Sequence, residues 1–220
     1  MRTYHVTIEG KTPLIMHQDN IEWSDRMERW QLDPKNRAAS KAGDDRTPPY
    51  RWLGALYHDG TRVAFPQENI MRSIMDGGAL VFTGGKNGKT FKSQTQSGMV
   101  PREMFWPVLV GGKDVPIAPF FDRYEERSFD AFQALAAQHG FMLYVKSVRV
   151  GTNKHIRVRP RLDEWTVSGT VVVKDEMLTE STLPQILAQA GEYKGLGEWR
   201  PGGKTPGPFG MFTAKVERAG

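Results

Sequence analysis

Between Ala131 and Leu162 the chain carries Lys146, Arg149, Lys154, Arg157, Arg159 and Arg161, and no Asp or Glu. The densest part is His155-Ile156-Arg157-Val158-Arg159-Pro160-Arg161-Leu162. In an extended strand alternate residues share a face. Arg157, Arg159 and Arg161 therefore point one way, and Ile156, Val158 and Leu162 the other. Guanidinium groups repeating every ~6–7 Å match roughly the spacing of successive phosphates along an extended single strand. Arginine also stacks on unpaired bases. A solvated strand face is the bland alternative, but such a face normally mixes signs, and here no acid interrupts the run.

A second acid-free stretch, Gly77 to Arg102, holds Lys86, Lys89 and Lys92. Within it, Thr83-Gly-Gly-Lys-Asn-Gly-Lys-Thr90 nearly spells a phosphate-binding loop. Thr83 stands where the first glycine belongs, and Phe91 to Gly98 give no amphipathic helix to present to a phosphate. The apolar run Val171-Val-Val-Lys-Asp175 is broken by Lys174 before its acid. The segment therefore reads as a mobile basic loop and not as a nucleotide site, and no cofactor is expected.

The third candidate is Gly195-Leu-Gly-Glu-Trp-Arg-Pro-Gly-Gly-Lys-Thr-Pro-Gly-Pro-Phe-Gly210. Its glycines let backbone N–H groups approach a phosphate, with charge from Arg200 and Lys204 and a stacking surface from Trp199. As a dinucleotide fingerprint it fails, because Arg200 occupies the third glycine position and the loop leaves a helix instead of opening one. Trp199 packed into the core is an equally good reading.

Other chemistries are poorly supplied. The chain has no cysteine, which excludes disulfides, thiolate catalysis and Cys-ligated metals. The histidines, His5, His17, His58, His139 and His155, lack ligand-type spacing, so no metal site is expected. His17 alone is a candidate general acid or base for metal-independent RNA cleavage, although lone histidines are more often structural. No membrane-spanning apolar run and no signal-peptide core are visible, so a cytoplasmic protein is expected. A net charge of +5 is modest, and its segregation says more than its size.

These candidates must be held by a fold. Tyr4, Val6 and Ile8 alternate with polar residues as in a half-buried strand. Residues 18–60 carry Trp and charge without clean periodicity, as a long or partly helical insertion would. Pro66 to Leu80, Ser128 to His139 and Leu183 to Lys194 have apolar residues at helical spacing. Phe105 to Val110 and Val115 to Ile117 read as short strands. Phe141 to Val150 and His155 to Leu162 flank a Gly-Thr-Asn-Lys turn as a hairpin. Glu164 to Lys174 and the segment from Phe212 alternate as strands. This order predicts an α+β chain: one ferredoxin-like (RRM-like) βαββαβ palm over residues 1–220, with insertions at about 18–60 and 83–162.

The opening Tyr4-His-Val-Thr-Ile-Glu-Gly-Lys-Thr-Pro-Leu-Ile-Met-His17, the segment Ala64-Phe-Pro-Gln-Glu-Asn-Ile-Met-Arg72, the inserted basic hairpin, and the closing Gly195-Leu-Gly-Glu-Trp-Arg-Pro and Gly207-Pro-Phe-Gly-Met-Phe212 together resemble the RAMP superfamily. The chain resembles specifically the RNA-binding backbone subunits of CRISPR effector complexes, and also uncharacterised bacteriophage and prophage proteins. The resemblance implies a palm, a thumb-like hairpin and head-to-tail stacking of copies along a strand. Asp25 and Asp33 are the acids to consider as a cleavage aspartate, with no motif choosing between them. The expected partner is single-stranded RNA or DNA, bound with little sequence preference through the residues named above. Trp23, Trp30, Tyr50 and Trp52 would pack either on a neighbouring copy or locally. Two rival roles remain: an endoribonuclease using His17, and a phage protein that mimics or inhibits a CRISPR subunit.

Overall fold

The computed structural model describes residues 1–84 and 88–219, with Val150 described by its backbone alone. Lys86 lies outside the described residues. The chain runs β1 (Arg2–Gly10), β2 (Leu14–Ile15), α1 (Ile21–Leu32), β3 (Ala64–Pro66), α2 (Gln67–Gly78), α3 (Lys92–Ser97), β4 (Met99–Pro101) and β5 (Phe105–Val110). It continues through β6 (Lys113–Asp114), α4 (Ala118–Phe121), α5 (Phe129–Gln138), β7 (Met142–Val150), β8 (Asn153–Leu162), β9 (Thr166–Val173), α6 (Thr182–Tyr193) and β10 (Phe212–Arg218). The class is α+β.

Alternation builds the main sheet. Tyr4, Val6 and Ile8 of β1 are buried, as are Val167, Val171 and Val173 of β9. The strand order is β10-β1-β9-β5-β3, every pairing antiparallel, with β4 added to β9 and β6 to β5. Gly169 on β9 has a packing reason: a Cβ there would lie 2.1 Å from the ring of the buried Trp106. The stripes Ile70 and Ile74 of α2 and Leu183, Ile186, Leu187 and Ala190 of α6 are buried, and the two helices pack together against the sheet. One hydrophobic core runs from Tyr4 to Phe212.

A second sheet, β2-β8-β7, carries the hairpin. Gly151 turns it with φ +61°, the left-handed region where glycine is favoured.

Residues 18–60 are partly helical, one of the two forms expected of them: they contain α1, capped by Asn20, whose side chain accepts from the Trp23 N–H. Other expectations change. Residues 83–97 are not wholly loop: α3 forms, with Thr95 and Phe91 buried against Gly78. Val115 to Ile117 forms no strand of its own, although it bonds to residues 61–63. Trp52 and Tyr50 are buried in this chain's own core, and Trp23 and Trp30 pack against it, so local packing uses these aromatics. No helix among the described residues is long and apolar enough to cross a membrane.

Candidate nucleic-acid interface

The cross-strand register decides which cations share a surface. Across β7–β8, Tyr144 faces Arg159, Lys146 faces Arg157, and Met142 faces Arg161. Directly opposed residues project to the same side, so Tyr144, Lys146, Arg157, Arg159 and Arg161 form one face. Arg149 and Lys154 also oppose each other, but on the other side. The six cations of the hairpin are therefore split, and no strand lying on the arginine face touches Arg149 or Lys154 without passing around the tip.

The chain after β1 runs along the edge of β8. Leu14 and Ile15 of β2 pair with Leu162 and Arg161, and the Met16 N–H donates to the Pro160 carbonyl. His17 then falls beside Arg159, with Nε2 3.4 Å from its Nη2. On the other side of this segment runs the glycine-rich loop, where the Glu198 N–H donates to the Ile15 carbonyl at 2.9 Å. Gly197 permits the approach: its φ is +76°, and a Cβ would lie 2.4 Å from that same carbonyl oxygen. Trp199 follows at φ +54°, a left-handed conformation that costs a non-glycine residue roughly 1–3 kcal/mol. Its ring is fixed by Phe209, with centroids 5.5 Å apart, and the Lys146 ammonium sits 3.0 Å from its centroid.

Hairpin and loop thus converge, although they are distant in sequence. They enclose a groove of ≈ 410 Å³ lined by Tyr144, Lys146, Arg157, Arg159, Trp199 and Lys204. Arg161 stands at its edge, its guanidinium 5.7 Å from the Tyr144 ring. Arg157, Arg159 and Glu198 also form one wall of a polar cavity of ≈ 690 Å³ that reaches His17, Asp45, Arg51 and α1.

That wall is an ion-pair network. Asp45 is 4% exposed, and its carboxylate receives Arg157 at 3.0 Å, Arg159 at 3.1 Å and Arg51 at 3.3 Å. The segment bearing it is held because the Asp45 N–H donates to the Ile156 carbonyl and the Ile156 N–H to the Gly43 carbonyl. Glu198 accepts from Arg159 Nε at 2.8 Å and lies 3.2 Å from His17 Nδ1. Burial alone would raise the Glu198 carboxyl, but the bond from His17 and the charge of Arg159 win and hold it below the usual range. Arg161 pairs with Asp163 at 2.7 Å. The hairpin lacks acids in sequence only; in space, acids from distant segments partly balance it.

The remaining candidates lie elsewhere. Arg200 sits on the α2 side of the glycine-rich loop, donating to the Lys194 carbonyl at 2.9 Å. Lys92 begins α3, which abuts β4, and β4 pairs with Val171–Val173 at the far end of β9. The hairpin leads into the near end of β9, and neither Lys92 nor Lys89 lines the groove or the polar cavity. Asp25 and Asp33 line neither cavity; the Asp33 side chain instead accepts from the Lys35 N–H.

Sequence reasoning missed Tyr144, Asp45, Arg51 and Glu198. Tyr144 carried a signal, since period two places it with Lys146. Asp45 and Glu198 carried none, because their pairing depends on long-range folding. No protein-family model matches the chain, and no curated protein matches it.

Proposed function

We propose that this chain binds single-stranded RNA or DNA in the groove between the β7–β8 hairpin and the glycine-rich loop. The observation that carries the reading is the convergence there of Tyr144 and Trp199, two stacking surfaces, with Lys146, Arg157, Arg159 and Lys204. Single-strand binders combine these two elements: a cationic track for phosphates and aromatic faces for bases. The Lys146 ammonium covers a face of Trp199. A base stacking there displaces it toward the backbone, where its charge remains useful.

The palm is read as ferredoxin-like and RRM-like. Strand order β10-β1-β9-β5, with α2 between β1 and β5 and α6 between β9 and β10 in sequence, supports this. With the hairpin as thumb, it is the arrangement expected of a RAMP-like protein, whether in a CRISPR effector or a phage. Coating of a long strand by head-to-tail copies belongs to the same reading, since one fold covers only ~4–16 nucleotides. Regular filaments on long single strands in electron micrographs would support it; isolated monomers at saturation would refute it.

Anisotropy titration of unstructured oligonucleotides tests the binding itself. With about three to six phosphates neutralised, log K should fall with log salt at a slope of about −2 to −4. Salt-insensitive affinity, or no binding at low salt, overturns the proposal.

One observation favours a second reading. The His17 ring lies between Glu198, 3.2 Å from Nδ1, and Arg159, 3.4 Å from Nε2, so an RNA phosphate that drew the Arg159 guanidinium to itself would leave Nε2 as a base next to an anion stabiliser. Metal-independent cleavage of RNA, abolished in a folded His17→Ala variant, would establish it. Intact RNA across varied sequences would leave binding alone.

A further inference from the structure

Behind the glycine-rich loop, on the side away from Trp199, is a small pocket of ≈ 140 Å³ lined by Tyr57, Asn69, Arg72, Arg200 and the backbone at Gly195 to Gly197. Its architecture follows from the packing of α2 on the loop. Ser73 of α2 is buried and donates to the Gly195 carbonyl at 3.0 Å. Asn69, Arg72 and Asp76, spaced three and four apart, stand on neighbouring positions of the helix surface. The Tyr57 hydroxyl donates to the His17 carbonyl at 2.8 Å, which places the pocket next to the His17–Glu198 wall of the polar cavity.

The charges do not balance. Arg72 and Arg200 share a single carboxylate, Asp76, at 3.1 Å and 3.9 Å. The second distance is too long for a good hydrogen bond. The Arg200 side chain is only 20% exposed, so its guanidinium is partly desolvated with one distant, shared counter-charge. Burial pulls its pKa below the ordinary value for the same reason. In direct ion pairs, then, two guanidinium groups share one carboxylate beside a small concave space, with Glu68 and Glu198 acting only through Tyr57 on its rim, a setting that favours an anion between the two arginines. Size narrows the choice. The pocket holds about four or five waters at ~30 Å³ each, which is room for a phosphate group but not for a nucleoside.

We propose that this pocket is a phosphate subsite, with Arg72 and Arg200 as its cationic arms and the Asn69 amide as its polar partner. The inference rests on the nucleic-acid reading of the neighbouring groove and extends it: the strand that stacks on Trp199 continues across the loop and leaves one phosphate on the α2 side. That phosphate is either an internal diester or a terminal monoester, and both present the same oxygens to the two guanidinium groups.

Arg72→Gln is the first test, because the Arg72 side chain is 66% exposed and its loss should not disturb folding. Arg200→Gln, checked for folding by its thermal transition, is the second, and Lys113→Gln, an exposed cation outside the groove, is the control. Each variant is titrated with one oligonucleotide bearing a 5′-phosphate, a 3′-phosphate or only hydroxyl ends. Separately, inorganic phosphate is titrated into each protein and followed by phosphorus NMR. Arg72→Gln should weaken strand binding about tenfold and flatten the salt slope by about 0.7, the loss of one contact, while Lys113→Gln does neither. Weakening of all three oligonucleotides assigns an internal phosphate. Weakening confined to a phosphorylated end assigns a terminal one. If strand affinity and inorganic phosphate binding are both the same in wild type, Arg72→Gln and Arg200→Gln, the subsite does not exist and the groove reading stands unaffected. If no strand binds at all, inorganic phosphate binding that Arg72→Gln abolishes retains the pocket while the groove reading falls.

Discussion

Replacing Asp45 by Asn tests whether the arginine wall is organised as described. The substitution keeps shape and volume but turns an acceptor-only carboxylate into an amide whose NH₂ must face guanidinium donors. Three arginines lose their shared partner at once, together with a 3.4 Å bond from the Val158 N–H. Breaking a fully buried pair costs ~3–5 kcal/mol. Here the Arg157 and Arg51 side chains are 33% and 29% exposed, so water takes over part of their solvation. We expect a loss of about 2–3 kcal/mol, which for a chain of this size lowers Tm by about 4–12 °C. Asp163→Asn is the contrast: its pair with Arg161 lies at a 48% exposed carboxylate and should be worth at most ~1 kcal/mol. A second readout separates architecture from charge. Arg51, Arg157 and Arg159 face two carboxylates, Asp45 and Glu198, and neutralising one roughly doubles the net positive charge of the wall. Strand affinity at low salt should rise severalfold in Asp45→Asn, and the gain should vanish as salt screens it. Differential scanning fluorimetry and anisotropy measure the two effects. A Tm within 2 °C of wild type, or no lower than that of Asp163→Asn, would show that Asp45 does not hold the wall.

Three further outcomes follow from the geometry. Trp199→Ala should weaken strand binding by about 5- to 150-fold, from ~1–3 kcal/mol per stacked base, whereas Trp199→Phe should recover most of it; equal affinities for the two variants would remove Trp199 from the site. Arg149→Glu combined with Lys154→Glu should lower affinity far less than Arg157→Glu, because the pair projects from the opposite face of the hairpin; equal losses would mean that the strand wraps the tip. Asp59 gives an acid-side signature. Burial opposes its ionisation, but bonds from Thr61 and Arg62 win and bring its pKa down to about 2 from 3.8. A carboxyl whose folded pKa is depressed stabilises the fold above its unfolded pKa and loses that contribution as pH falls toward the folded value. Tm should therefore drop between about pH 4 and pH 2, and the part due to Asp59, at most ~2 kcal/mol, should be missing in Asp59→Asn; an identical acid limb in that variant would refute the assignment.

Local pattern carried much of the fold. The stripes of α2, α5 and α6 and the alternation of β1, β8 and β9 come from single segments whose buried face is set by their own spacing. A partly helical insertion at 18–60 was readable, but the position of α1 was not, because its sequence, Ile-Glu-Trp-Ser-Asp-Arg-Met-Glu-Arg-Trp-Gln-Leu, buries only Met27 and leaves Ile21 and Leu32 exposed, so no apolar stripe announces it. α3 was illegible for a different reason. It is a short polar segment stabilised by two anchors, Phe91 and Thr95, which find their contacts only once α2 is in place. The aromatics of residues 18–60 looked surplus to a loop because their partners, Phe120, Phe121, Tyr124 and Phe132, lie far along the chain, from 68 residues on (Trp52 to Phe120) to 101 (Trp23 to Tyr124).

The same distinction governs the site. The acid-free run from Ala131 to Leu162 is a property of a window, whereas electrostatics is a property of space. Asp45 reaches Arg157 across 112 residues of chain, and Glu198 reaches Arg159 across 39. The pairing alters what the arginines can do. Free guanidinium groups on a strand would bind any polyanion and lose side-chain entropy on doing so. Guanidinium groups already fixed by a buried carboxylate have lost that entropy on folding and present their remaining N–H donors in set directions. The balance left on the wall is a small positive excess rather than three full charges, which suits reversible binding of a flexible strand beside two aromatic surfaces. Affinity in such a groove should depend more on stacking at Trp199 and Tyr144, and less on salt, than the run of arginines in the sequence suggests, so the measured salt slope should fall nearer −2 than −4.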